Sequence, residues 1–453
     1  MESAAREEQS TQLRKVATAS LVGTMIEWYD YFIFGTAAAL VFGQLFFPNS
    51  TPLAGTLASF ATFSVGFFVR PVGSIIFGHF GDRIGRKNML ILTLLMMGAA
   101  TFIIGLLPTA TTIGVWAPIL LVAMRILQGL GVSGEWGGAV LLAAEYAPER
   151  QRGFYGSFPQ VGNCIGLLLA TGSFALLSLL PEEQFLAWGW RVPFLASIVL
   201  IGVGLWIRLR IMETPIFREM QQSQSESQAG FPIVEVIRDH YKSVLAGIGV
   251  RISNDTQGYI VIVFSVSYVT ETLGMASSVS TSAIAIAAFF AIFVGFISGR
   301  LSDRVGRRPI LAVLTVLIMA FAFPFFWLIG TKTLALIYLA YVVMYSIGNI
   351  GTYAIQASLL PELFPTRVRY TGTAFSYNMT SVVAGGIAPF IATALVAWAG
   401  GGFWPVVLYL WAVCLITLIT LVFLSETYRE SLTDVQPIER AGVVGGARTG
   451  EGS

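Results

Sequence analysis

A chain of 453 residues that is 55% hydrophobic and 11% charged, with a mean hydropathy of +0.74, holds more apolar surface than a soluble core can bury. That excludes a soluble enzyme or binding domain and requires a protein that crosses a bilayer many times. The formal charge of +2 gives no reason to expect a nucleic-acid partner.

A spanning helix needs about 20 mostly apolar residues. Twelve stretches meet this requirement: 17–44, 56–79, 88–107, 114–138, 156–179, 191–211, 243–269, 279–300, 309–330, 333–357, 371–397 and 404–424. Long apolar runs rather than short alternating strands exclude an outer-membrane barrel, so the fold class is an all-α bundle of twelve transmembrane helices. The polar start followed by so long an apolar run is read as a tail and a first span, not a cleaved leader.

The first span carries an anomaly. In "GTMIEWYDYFIFGTAAALVFG" (23–43), Glu27 and Asp30 would each cost roughly 2.5 to 3.5 kcal/mol at a helix centre, against about 0.3 to 0.6 returned by a Leu, Ile or Phe. Their i, i+3 spacing puts both on one helical face, with Tyr31 beside Asp30, so one cavity serves all three. Burial and a neighbouring cation pull a carboxyl's proton affinity in opposite directions. A group held between them can load and release a proton, and Asp30, the deeper, is preferred. The plainer alternative is a structural ion pair or a cap.

After span 2 comes the charged turn "GHFGDRIGRK" (78–87). Span 4 carries Arg125, a permanent cation for Asp30 or for an anionic substrate, with Gln128 on the same stripe. Its glycines in "GLGVSGEWGG" (129–138) suit close helix packing rather than a phosphate loop, and Glu135 near its end is read as a gate residue. The polar stretch "REMQQSQSESQAGFP" (218–232) links two halves. Span 7 opens with Arg251, Asn254, Asp255 and Gln257; Arg251 and Asp255, four apart, either neutralise each other or contact the substrate. Gln356 in span 10 and Tyr377 with Asn378 in span 11 are polar choices for a cavity wall. Cys164 and Cys414 fall in spans, and with two separated histidines no metal site or cofactor is expected.

The halves repeat. "GHFGDRIGRK" returns as "GRLSDRVGRR" (299–308), "EYAPERQR" (145–152) as "ELFPTRVR" (362–369), and Glu213-Thr214 as Glu426-Thr427. The expected division is a tail 1–16, a six-helix half 17–211, a linker 212–242, a second half 243–427 and a tail 428–453. Of the 27 Lys and Arg, all but five lie in the termini and the connections after even-numbered spans. Arg191 and Lys332 lie on the other side, and Arg70, Arg125 and Arg251 lie within spans. The positive-inside rule then puts both termini in the cytoplasm. Gly78, Asp82, Arg83, Gly85, Arg86 and Lys87, with Asp303, Arg304, Arg307 and Arg308, read as a two-state cytoplasmic gate. Glu145 with Arg152, and Glu362 with Arg369, join it.

"GHFGDRIGRK" resembles the signature between spans 2 and 3 of the major facilitator superfamily. "EWYDYFIFG" (27–35), "RILQGLGVSGEWGGA" (125–139) and "PELFPTRVRYTG" (361–372) resemble its metabolite:proton symporter branch, which includes carriers of proline and betaine, 2-oxoglutarate, citrate and shikimate. The resemblance implies alternating access by two rocking halves, and a link to proton coupling for the span-4 Arg125-x-x-Gln128-Gly129 frame. The expected function is inward transport of a small polar metabolite with protons by a monomer in the cytoplasmic membrane, the lipid bilayer being its other partner. A proton-coupled exporter and a nutrient sensor of transporter shape are the alternatives.

Overall fold

The computed structural model describes residues 2–84, 86–133, 140, 147–210, 232–365 and 368–428; the side chains of 1–16, 75, 78–90, 149, 207, 208, 210 and 232 lie outside that description. The fold is the twelve-helix bundle expected. In the first half, α1 is Glu2–Leu40, α2 Pro52–Ile84, α3 Arg86–Leu106, α4 Trp116–Val132, α5 Arg152–Leu177 and α6 Arg191–Arg210. In the second, α7 begins as Tyr241–Tyr259 and continues to Thr272, α8 is Ser277–Val305, α9 Arg307–Gly330, α10 Leu334–Glu362, α11 Arg369–Trp398 and α12 Trp404–Phe423. A short amphipathic helix, Pro232–Asp239, leads into α7.

Among the described residues, eight helices are long and apolar enough to cross a membrane unaided. The helices α1 and α7 depart from that rule because they carry Glu27, Asp30, Arg251 and Asp255. All four are buried, as the absence of hydrogen-bonding partners in lipid demands. The surface turned outward is instead rich in Leu, Ile, Val, Phe and Trp, such as Val199, Val313 and Phe423.

Two lines of contact join the halves. Along one, α5 packs against α8, and the fit at the end bearing the termini depends on two glycines. A Cβ on Gly153 would lie 2.4 Å from the Gly299 carbonyl oxygen, and one on Gly299 would lie 2.5 Å from that of Gly153. Along the other, α2 packs against α11, where Phe67 fills the space over Gly385 and Gly386. Three helices of the second half, α7, α10 and α11, widen into π-helical turns at Ile260–Phe264, Val342–Ile350 and Ser381–Gly386. Such turns shift the side-chain register and recur at functional sites.

Candidate functional site

The stretch "RISNDTQGY" (251–259) is too polar to face lipid, so α7 lies inside, against α10 and α11. Arg251 pairs with Asp255 one turn on. Its guanidinium lies 4.1 Å from the ring centre of Tyr377 and 5.3 Å from that of Tyr353. Ser381 donates to the other Asp255 oxygen at 3.2 Å. The side-chain nitrogens of Asn254 and Asn349 each donate to the other's backbone carbonyl, at 2.8 and 2.9 Å, and that of Asn254 also reaches Thr352 Oγ1 at 2.7 Å. Their side-chain oxygens are thereby left to accept.

These groups wall a cavity between the halves, closed on the first-half side by Trp28 and Phe32 of α1 and Asn163 of α5. Tyr345 of α10 donates to Asn163 Oδ1 at 3.4 Å, across the halves. About 30 Å³ is open in it, room for a water or two and too little for a metabolite. The wall must therefore move to admit one. An ion pair, two amide acceptors and aromatic faces suit a small solute with a carboxylate, hydroxyl donors and an apolar flank.

Of the residues expected there, Arg251, Asn254, Asp255 and Tyr377 line the cavity. Gln356 and Asn378 do not: Gln356 donates to the Val250 carbonyl at 3.1 Å, tying α10 to α7, and Asn378 donates to Ser74 Oγ at 2.8 Å, tying α11 to α2. The side-chain nitrogens of both hold helices together. The acids of α1 are also turned from the cavity, whose α1 wall is Trp28 and Phe32. Asp30 is fully buried inside the first half next to Thr101 of α3. Neither of its oxygens has a hydrogen-bond partner among the described residues, and no ion pair joins it to Arg125. The expected direct partnership is absent among the described residues, and the hydrogen bonds that start at Arg125 stop short of Asp30, because Thr101 donates its hydroxyl to the Met97 carbonyl at 2.9 Å. Arg125 donates to Gln128 Oε1 at 3.2 Å, and Gln128 donates to Thr101 Oγ1 at 2.8 Å.

Arg125 is itself fully buried, its Nε donating to the Phe63 carbonyl at 3.2 Å. It enters because residue 66 is Gly: a Cβ there would lie 2.6 Å from the Arg125 Nε. Its guanidinium lies 4.5 Å from the Tyr31 ring centre, and that of Arg70, on α2, lies 4.6 Å from the same centre. The two cations are thus no more than about 9 Å apart and repel by about 2 kcal/mol at an effective dielectric of about 20. The sequence signal for Arg70 was its place within a span; nothing about its spacing indicated a role.

At the end bearing the termini, Asp303 of α8 closes the junction between halves. Its two oxygens accept from the Gly153 and Phe154 amides at the start of α5, at 2.8 and 2.9 Å, where free amides and the helix dipole favour an anion. Arg307 donates to Asp303 at 2.8 Å and reaches Glu362 at 3.5 Å. Thr427 also donates to Glu362. Glu426, not singled out in sequence except as half of a repeated Glu-Thr pair, accepts from the Arg307 and Arg308 amides at 2.9 and 3.0 Å.

Arg369 donates to the Pro361 and Phe364 carbonyls at 3.1 and 3.2 Å. Arg152 is buried at the start of α5, and Arg304 is exposed, outside the network. The side chains of Gly78, Asp82, Arg83, Gly85, Arg86, Lys87, Glu135 and Glu145 lie outside the described residues. At the opposite end Thr56 of α2 donates to Glu271 of α7 at 2.8 Å, so the halves touch at both ends of the cavity.

The closed junction gives a direct test. Gly299→Leu forces α5 and α8 apart at the Gly153 contact, so a Ser157→Cys reporter, at a fully buried position, should react with a thiol reagent at least tenfold faster. Unchanged labelling would show that the contact does not hold the junction.

Residues 20–388 match the family model described as Major Facilitator Superfamily. The chain is similar to the inner membrane metabolite transport protein YhjE of Escherichia coli (strain K12), 43% identical over 92% of this chain and 95% of that protein. It is similar to the shikimate transporter of the same strain, 41% identical over 92% and 96%, and to its proline/betaine transporter, 36% identical over 94% and 86%. Among solved structures, it is similar in fold to the proton:xylose symporter XylE bound to 6-bromo-6-deoxy-D-glucose, with a TM-score of 0.72, 17% identity, and 95% and 99% of the two chains covered.

Proposed function

The chain belongs to the Major Facilitator Superfamily, as a multi-pass membrane transporter and not an enzyme, and from that premise we propose that it carries a small carboxylate-bearing metabolite inward together with protons. The observation that carries this reading is the cavity between the halves, with the Arg251–Asp255 pair and the Asn254 and Asn349 oxygens set among aromatic rings. Arg251 is the residue for the carboxylate, and the Asn oxygens are the acceptors for hydroxyls. The likeness to shikimate and proline/betaine carriers supports a solute of this size and polarity.

Asp30 is the proton carrier in this proposal. Its carboxyl has neither a bonded donor nor a paired cation among the described residues, and it lies next to Thr101, the residue at which the hydrogen bonds from Arg125 through Gln128 end. The Asp303 junction is the gate at the end bearing the termini, which we place in the cytoplasm from the Lys and Arg distribution. The halves 17–211 and 243–427 rock as units of a monomer in the inner membrane. A monovalent carboxylate entering with one proton moves no net charge and is driven by the pH difference alone; each further proton, or a solute of no net charge, adds about 2.3 kcal/mol per 100 mV, enough for a gradient of several tens-fold.

Uptake into proteoliposomes under an imposed pH gradient tests this, with hydroxylated ring acids, linear organic acids and betaines as the panel. Accumulation of a carboxylate along the inward proton gradient is expected. Accumulation only when the gradient is reversed would make the protein an exporter, and no proton-linked flux of any compound would sink the proposal.

A further inference from the structure

Three polar groups gathered about the Tyr31 ring are buried with donors left over. Arg70 is fully buried, and none of its three nitrogens has a hydrogen-bond partner among the described residues. Arg125 Nη2 and the Tyr31 hydroxyl are in the same condition. Arg70 has aromatic company, at 4.6 Å from the ring centres of both Tyr31 and Phe67. Cation–π attraction offsets part of the loss of water but satisfies no N–H. Glu27 and Asp255 are the acids whose charges reach Arg70; Asp255 is paired with Arg251, and no Arg70 nitrogen is hydrogen-bonded to either among the described residues. In folded proteins buried charges are as a rule paired, and buried donors as a rule bonded.

We infer that α1, α2 and α4 enclose an anion-binding site, beside the central cavity and divided from it by Tyr259, which lines the cavity and packs 6.2 Å from the Tyr31 ring, in which Arg70, Arg125 and Tyr31 hold one small monovalent anion. The two guanidinium groups share the Tyr31 ring and stand no more than about 9 Å apart, so a single small anion at the hydroxyl edge of that ring is within reach of both forks. It removes the repulsion between them and meets the free donors. The anion is inorganic, such as chloride, or is the carboxylate of a small organic acid. The site stands independently of which metabolite the cavity takes and of the proton's route.

The test is thermal unfolding of the purified full-length protein at constant ionic strength, with sodium gluconate replaced stepwise by sodium chloride or by sodium acetate. A saturable rise in Tm is expected. A rise with chloride alone assigns the site to inorganic anions, a rise with acetate alone assigns it to carboxylates, and a rise with both gives a site that takes either. Arg70→Met should abolish the rise and, because it deletes an unneutralised buried charge, should melt above the unsubstituted protein in gluconate. Arg70→Lys keeps the charge but loses the fork, and Tyr31→Phe keeps both charges but loses the hydroxyl; each should weaken the apparent affinity about tenfold or more. No salt-dependent rise in the unsubstituted protein would overturn the inference. So would Arg70→Met melting lower while retaining the full rise, which would make Arg70 a packing residue.

Discussion

Asp30→Asn is expected to abolish accumulation driven by a pH gradient while leaving exchange of the same solute across the membrane at or near its original rate. Asn has the shape of Asp and the same carbonyl acceptor, so packing around α1 is preserved. It cannot take up and release a proton, so the solute moves only down its own gradient. The buried setting makes this a clean substitution. The Asp30 side chain has no ion pair and no bonded donor among the described residues, so no partner is orphaned by the change, and the stability cost should stay under about 1 kcal/mol. Glu27→Gln is the comparison. If that variant loses accumulation and Asp30→Asn keeps it, the proton belongs to Glu27; if both accumulate normally, neither acid carries it. The two assays to run side by side are proton-driven uptake and counterflow in proteoliposomes.

The second large effect is expected at the cavity pair. Arg251→Gln leaves Asp255 buried with, among the described residues, only the Ser381 hydroxyl as hydrogen-bond partner, and breaking one side of a buried ion pair costs about 3 to 5 kcal/mol. A lost charge-assisted contact to a substrate carboxylate adds a fall in affinity of roughly ten- to a hundredfold. The double variant Arg251→Gln with Asp255→Asn separates the two effects. Removing both charges is often neutral or stabilising, so its Tm should return to near that of the unsubstituted protein, while uptake stays lost. Recovery of uptake along with stability would show that Arg251 serves the fold alone and that the carboxylate is held elsewhere.

Why the acids of α1 were assigned to the cavity in sequence, and are turned from it in the structure, has a simple cause. Periodicity tells which residues share a face, not what the face meets. For most helices at a bundle surface the lipid side is marked by a purely apolar stripe, but α1 is buried on every side from Ile26 to Ala39. Glu27 and Asp30 share a face, as the i, i+3 spacing required, and Trp28 and Phe32 share another. Only the latter lines the cavity. The same limit applies to Gln356 and Asn378, whose polarity marked them for the cavity although their side-chain nitrogens tie helices together. Arg251 and Asp255 were legible as a pair because i, i+4 is a local geometry.

The gate was legible where it is built from a repeat. Asp303, Arg307 and Glu362 were readable because acids in a loop that topology fills with cations need a separate reason. Glu426 was half-legible, through a two-residue echo. That Asp303 bonds the amides of Gly153 and Phe154, about 150 residues away, was not, since a bare helix start looks alike in every sequence.

The sequence by itself determined the solvent, the number of helices, the duplication into halves and the list of charges that require burial, because each follows from composition and local spacing against the thickness of a bilayer. Which of those charges face one another was decided only by the tertiary structure. Arg70 and Arg125 come to share the ring of Tyr31 because Gly66 leaves room for a guanidinium between α2 and α4, a contact among three helices that no single helical period encodes.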